Sequence, residues 1–80
     1  MPYGPTQIAR ELTDTALGNA YFGNALYVAQ DIPGLTTHER LVIKRWLDGS
    51  QRGTDWRELQ MIANKIGADT TTGPQTGNRA

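Results

Sequence analysis

The sequence predicts an all-α fold: a small three-helix domain, built from a long N-terminal helix and a two-helix hairpin, followed by a disordered C-terminal tail. Three observations carry this. Apolar residues recur at three- and four-residue intervals instead of alternating. Two segments open on capping patterns, Thr36 with Glu39 and Asp55 with Glu58, and close on Gly49 and Gly67. The β-branched residues fall in helical registers or in the polar "TTT" near the C-terminus, so no strand candidate remains.

The first helix opens after a lead-in rich in proline and glycine, "MPYGP", with Pro5 and Thr6 suited to its first turn. Ile8, Leu12 and Ala16 then recur every four residues, with Ala9 beside them and Arg10, Glu11 and Asp14 off the stripe. The stretch "GNAYFGNALYVAQ", Gly18 to Gln30, repeats Gly-Asn-Ala five residues apart. Five residues turn a helix by about 500°, so the two copies point about 140° apart and present no repeated surface. A break at Gly18-Asn19 would leave a loop at or below the short limit for a helical hairpin. The expectation is therefore one helix from Thr6 to Asp31, bent at Gly18 and about 39 Å long. Ala16, Ala20 and Gly23 would form a close-approach groove on it. Leu17, Tyr21 and Val28 make a second stripe nearly opposite, and a helix apolar on two faces needs cover on both.

"DIPGLTTHE" is a connection, because Pro33 disfavours helix at Ile32. The second helix spans Thr37 to Asp48. Val42, Ile43, Trp46 and Leu47 share its core face, while Leu41 lies on the charged side with Lys44, Arg45 and Asp48. After the loop "GSQRG", the third helix runs to Ile66 with Trp56, Leu59, Ile62, Ala63 and Ile66 on one face. Met61 sits opposite, one turn from Arg57 and Lys65. Both tryptophans occupy core registers. Gly67 is placed as the C-terminal cap, which makes residues 1–67 the helical domain. Residues 68–80 are polar, without a large apolar side chain, and read as the disordered tail.

Eighty residues allow one domain, and a lone core of this size supplies about 3 to 5 kcal/mol, so a partner or a second copy would matter. The absence of cysteine excludes disulfides, thiolate metal sites and cysteine nucleophiles, and fits a reducing, cytoplasmic setting. The N-terminal stretch carries neither a charged nor an apolar signal region, and no run approaches the roughly 18 apolar residues of a membrane span. Eight basic and eight acidic residues cancel. Their distribution is uneven: residues 1–36 carry Arg10 against Glu11, Asp14 and Asp31, whereas 37–67 carry six cations against four carboxylates.

Catalytic chemistry is not expected. His38 is the only histidine, it opens a helix, and Glu39 beside it points elsewhere, so a solvent-facing residue and no metal site are expected. Glu11 with Asp14, and Asp55 with Glu58, have ordinary helical spacing. No phosphate loop, dinucleotide fingerprint or nucleophile motif occurs. The chain reads as a non-enzyme without cofactor or small-molecule substrate.

Within "ELQMIANKIGAD", Ile62-Ala63 followed by Ile66-Gly67 resembles the first half of a helix-turn-helix, in which a small residue lets two helices cross and a glycine takes the turn. The second half is missing: the threonines, Gly73 and Pro74 that follow anchor no recognition helix.

The leading expectation is a protein-binding module, an adaptor or inhibitor that occludes or bridges a larger protein, or pairs with itself as a homodimer. Its contacts would be Tyr21, Phe22, Leu41, Arg45, Arg57 and Met61, since arginine, methionine and aromatic residues are enriched at interfaces. In size, neutrality and lack of chemistry it looks like many small phage-encoded proteins that bind host machinery. The alternative is a small DNA-binding transcriptional regulator contacting phosphates through Arg40, Lys44, Arg45 and Arg52.

Overall fold

The computed structural model describes the backbone of residues 3–79 and the side chains of residues 3–68. It is all-helical among the described residues, with four helices: α1 (Pro5–Ala16), α2 (Gly23–Ala29), α3 (Thr37–Asp48) and α4 (Asp55–Arg79). α1 packs on α2 and α4, and α3 packs on the same two helices, so the four close a ring. Its centre holds Ile8, Leu12 and Ala16 from α1, Ala25, Leu26 and Ala29 from α2, Val42 and Ile43 from α3, and Leu59, Ile62, Ala63 and Ile66 from α4. Leu35, in the connection to α3, completes the core. Each fully buried leucine or isoleucine stabilises the ring by about 1.5–3 kcal/mol before conformational entropy is set against it.

The long first helix expected from Thr6 to Asp31 is two helices. α1 stops at Ala16, and residues 17–22 form a connection longer than the one or two residues that argued against a break. Two local causes act. Gly18 takes φ 78°, which lets its amide donate to the Thr15 carbonyl at 3.1 Å and the Asn19 amide to the Asp14 carbonyl at 2.9 Å. This pair of bonds satisfies the last carbonyls of α1 and turns the chain away. Then Thr15, buried in the last turn, accepts the Phe22 amide on its hydroxyl at 3.1 Å. Ala20 is consequently exposed in the connection and Gly23 opens α2, so Ala16, Ala20 and Gly23 form no common groove.

α3 matches its expected bounds. The Thr36 hydroxyl accepts the Glu39 amide at 3.1 Å and the Thr36 amide donates to Glu39 Oε1 at 2.8 Å, a reciprocal capping box. At the other end Gly49 repeats the left-handed turn seen at Gly18, with the Ser50 amide on the Arg45 carbonyl. Val42 and Ile43 are buried, and Trp46 and Leu47 pack half-buried against the core. The Trp46 Nε1 is buried with no hydrogen-bond partner among the described residues, which offsets part of what burying the ring contributes.

The start of α4 differs from the expected capping box. Asp55 does not pair its capping role with Glu58; its carboxylate accepts the Arg52 amide at 2.8 Å and the Arg45 guanidinium at 3.1 and 3.3 Å. Glu58 is drawn across to His38 instead. At Gly67 the helix does not end. A Cβ placed there would lie 3.3 Å from the Ala9 Cβ, so this glycine serves a close crossing of α1 and α4, not a C-terminal cap. Where a disordered tail was expected over residues 68–80, the described backbone continues as α4 to Arg79; the side chains of residues 69–80 lie outside the described residues.

Candidate functional site

Two surfaces emerge from this ring. The first is the seam between the antiparallel α3 and α4, stitched by two cross-helix ion pairs and one histidine–glutamate hydrogen bond. His38 Nε2 lies 2.7 Å from Glu58 Oε1, Lys65 Nζ 2.9 Å from Glu39 Oε1, and Arg45 Nε 3.1 Å from Asp55 Oδ2. The Thr36 amide, with help from Lys65, holds the Glu39 carboxyl below its ordinary value. The Arg45 guanidinium, joined by the Arg52 amide, does the same for Asp55. Between these pairs runs a groove of about 280 Å³ whose walls are His38, Glu39, Val42, Glu58, Met61 and Ile62. Its floor is apolar, and its two rim carboxylates are engaged, Glu39 by Lys65 and Glu58 by His38.

The second surface is the end of the bundle where α1 finishes and α4 begins. Gln60 Nε2 donates to Thr13 Oγ1 at 3.0 Å, and Gly67 meets Ala9, so α1 and α4 run antiparallel in a defined register. One turn further along each helix from the Thr13–Gln60 contact come Leu17 and Trp56, on the same faces. α1 has already ended there. Trp56, in a core register, is therefore left 42 % exposed and Leu17 55 % exposed. The connection fastened at Thr15 delivers Tyr21 to the same end, where its hydroxyl donates to the Trp46 carbonyl at 3.3 Å while the residue stays 59 % exposed. The Arg57 guanidinium lies over the Trp56 ring, 5.2 Å from its centroid, a cation–π contact.

The residues expected to contact a protein are thus dispersed. Tyr21 and Arg57 belong to the bundle end, Met61 to the groove, and Leu41, exposed, lies outside the groove wall. Phe22 packs against the core and Arg45 is engaged with Asp55, so neither is free for a partner. Leu17 and Trp56 were not among the expected contacts. Leu17 had a signal, its place in the second apolar stripe; Trp56 had none, because its exposure depends on where α1 stops. The cations expected to contact DNA are largely engaged as well: Arg40 Nε donates to the Gln30 carbonyl at 3.2 Å and Lys44 pairs with Asp48 at 3.6 Å. Arg52 has no ion pair among the described residues.

No cluster of three or more histidine and acidic side chains suited to a metal occurs among the described residues, and none of their helices is long and apolar enough to cross a membrane. The fold and its surfaces define a small all-α bundle with a stitched seam and one apolar, arginine-edged end. Compared with protein-family models, curated protein sequences and solved structures, the chain matches none.

Proposed function

We propose that this chain is a small non-enzymatic protein-binding module, which covers or bridges a surface on a larger protein by shape and charge complementarity. The observation that supports it is the gathering of Leu17, Tyr21 and Trp56, all substantially exposed, at one end of the bundle, with Arg57 held over the tryptophan. Tryptophan, tyrosine and arginine are the residue types that dominate binding energy at protein interfaces. Isolated exposed apolar side chains need no explanation, but several large ones brought together by unrelated segments point to a contact surface. Met61 and the groove beside it offer a second, smaller contact.

The test is capture from the native cell by the wild-type chain, by Leu17→Asp and by Trp56→Ala, each variant checked for helicity. The module reading expects a specific protein that both variants lose while remaining folded. A chain that captures no protein, but binds duplex DNA at low salt with an affinity falling steeply as salt rises, would be the DNA-binding regulator instead.

A further inference from the structure

We infer that the bundle end receives an acidic segment of the partner protein, one whose apolar side chains enter among Leu17, Tyr21 and Trp56 while its carboxylates meet Arg52 and Arg57. This rests on the reading of the chain as a protein-binding module and adds the chemistry of what it binds.

Positive charge is left over at the bundle end. Across the α3–α4 seam the cations have anions: Lys65 has Glu39 and Arg45 has Asp55. At the bundle end this balance fails. Arg57 has no carboxylate partner among the described residues and rests on Trp56. Arg52 uses its backbone, the amide on Asp55 Oδ2 and the carbonyl accepting the Asp55 amide at 3.0 Å, while its guanidinium makes no ion pair among the described residues. Asp55 is no counter-charge for a partner's benefit, since it is buried and already neutralised by Arg45. Asp14, one turn before Leu17, likewise has no ion pair among the described residues, and this one anion against the two arginines leaves the end net positive.

The two arginines are also placed to be useful. The Asp55 bonds fix the backbone of the loop carrying Arg52, and the Trp56 ring pre-positions Arg57, so little freedom of the Arg57 side chain is lost when a carboxylate arrives. A guanidinium stacked on an indole keeps its edge open for bidentate hydrogen bonds to an anion. The seam groove lacks this property, because its rim charges are consumed within the fold. An apolar patch edged by free guanidinia discriminates against basic segments by repulsion as well as selecting acidic ones.

The experiment uses the full chain, labelled with nitrogen-15, and three probes: a short synthetic peptide alternating Glu with Leu and Phe, its twin with Lys for Glu, and oligo(dT). The expected result is that the acidic peptide shifts the Trp56 indole and the amides of Leu17, Tyr21 and Arg57, whereas the Lys peptide does not. The double variant Arg52→Glu with Arg57→Glu should keep a folded spectrum and bind the acidic peptide at least about tenfold more weakly. Equal binding of the Lys peptide, tighter binding of oligo(dT), shifts centred on Met61, or no shift at all would each overturn the inference. If the native partner cross-links through Met61 while the acidic peptide leaves Trp56 unmoved, the module reading stands and this inference falls.

Discussion

The Thr15 hydroxyl accepts the Phe22 amide at 3.1 Å while donating to the Glu11 carbonyl at 2.9 Å, so one buried side chain fastens the α1–α2 connection to the last turn of α1. That bond aims the residue before Phe22, Tyr21, at the bundle end. Thr15→Val keeps the shape and removes both bonds, leaving a half-buried amide unsatisfied. The expected loss is about 1 to 3 kcal/mol of stability, read from urea unfolding, together with weaker partner binding through a displaced Tyr21. An unchanged urea midpoint would show that the connection is held by other means.

Gly18 should resist substitution for a purely conformational reason. A Cβ there would meet nothing within 4 Å, yet the backbone sits at φ 78°. Gly18→Ala is expected to cost about 1 to 2 kcal/mol, whereas D-alanine at the same position, introduced by chemical synthesis, should be tolerated. Equal stability of the two forms would argue that α1 does not terminate in the left-handed turn.

Acid should weaken the fold through two carboxylates. Asp55 is held below its ordinary 3.8 by the Arg45 guanidinium first and the Arg52 amide next, and Glu39 below its ordinary 4.5 by the Thr36 amide and then Lys65. A carboxylate depressed on folding contributes above its unfolded pKa and loses that contribution as pH falls through the folded value. Stability should therefore be level above about pH 5 and decline below about pH 4. Asp55→Asn should lower stability near neutrality by about 1 to 3 kcal/mol and flatten the acid limb. A wild-type urea midpoint that does not move on acidification would contradict this.

Alkali acts at the opposite side of the bundle. Partial burial and the hydrogen bond from Tyr3 to Glu11, 2.7 Å long, push the Tyr3 phenol up from 10.0 to about 12. Folding favours the neutral phenol, so this contribution is complete below pH 10 and disappears as pH rises towards 12. Phenolate absorbance should show a late-titrating component that is missing in Tyr3→Phe. Identical titration curves for the wild type and Tyr3→Phe, once scaled for the lost phenol, would refute the contact with Glu11.

Local signals in the chain were legible where the structure uses them locally. The reciprocal bonds of Thr36 and Glu39, the stop at Gly49, and the core faces carrying Val42, Ile43, Leu59, Ile62, Ala63 and Ile66 all follow from spacing alone. The failures share one cause, a long-range contact that overrides a local preference. Gly67 reads as a helix stop until Ala9 is known to press against it. Asp55 reads as a cap until Arg45 reaches it from α3. Trp56 reads as core, and its register is indeed the one facing α1, but α1 ends a turn too early to cover it. The candidate site is hidden for the same reason: Leu17, Tyr21 and Trp56 belong together only once the Thr13–Gln60 register and the Thr15–Phe22 bond are in place.

The central claim, that the bundle end is the docking surface, is tested most directly by site-specific photo-cross-linking in the native cell. A benzophenone amino acid would replace Leu17 in one variant and Met61 in another, both exposed positions on different faces. The expected result is a discrete protein adduct from position 17 that outweighs any from position 61 and vanishes when Arg52 and Arg57 are both changed to Glu. An adduct confined to position 61, or one formed with nucleic acid, would contradict it.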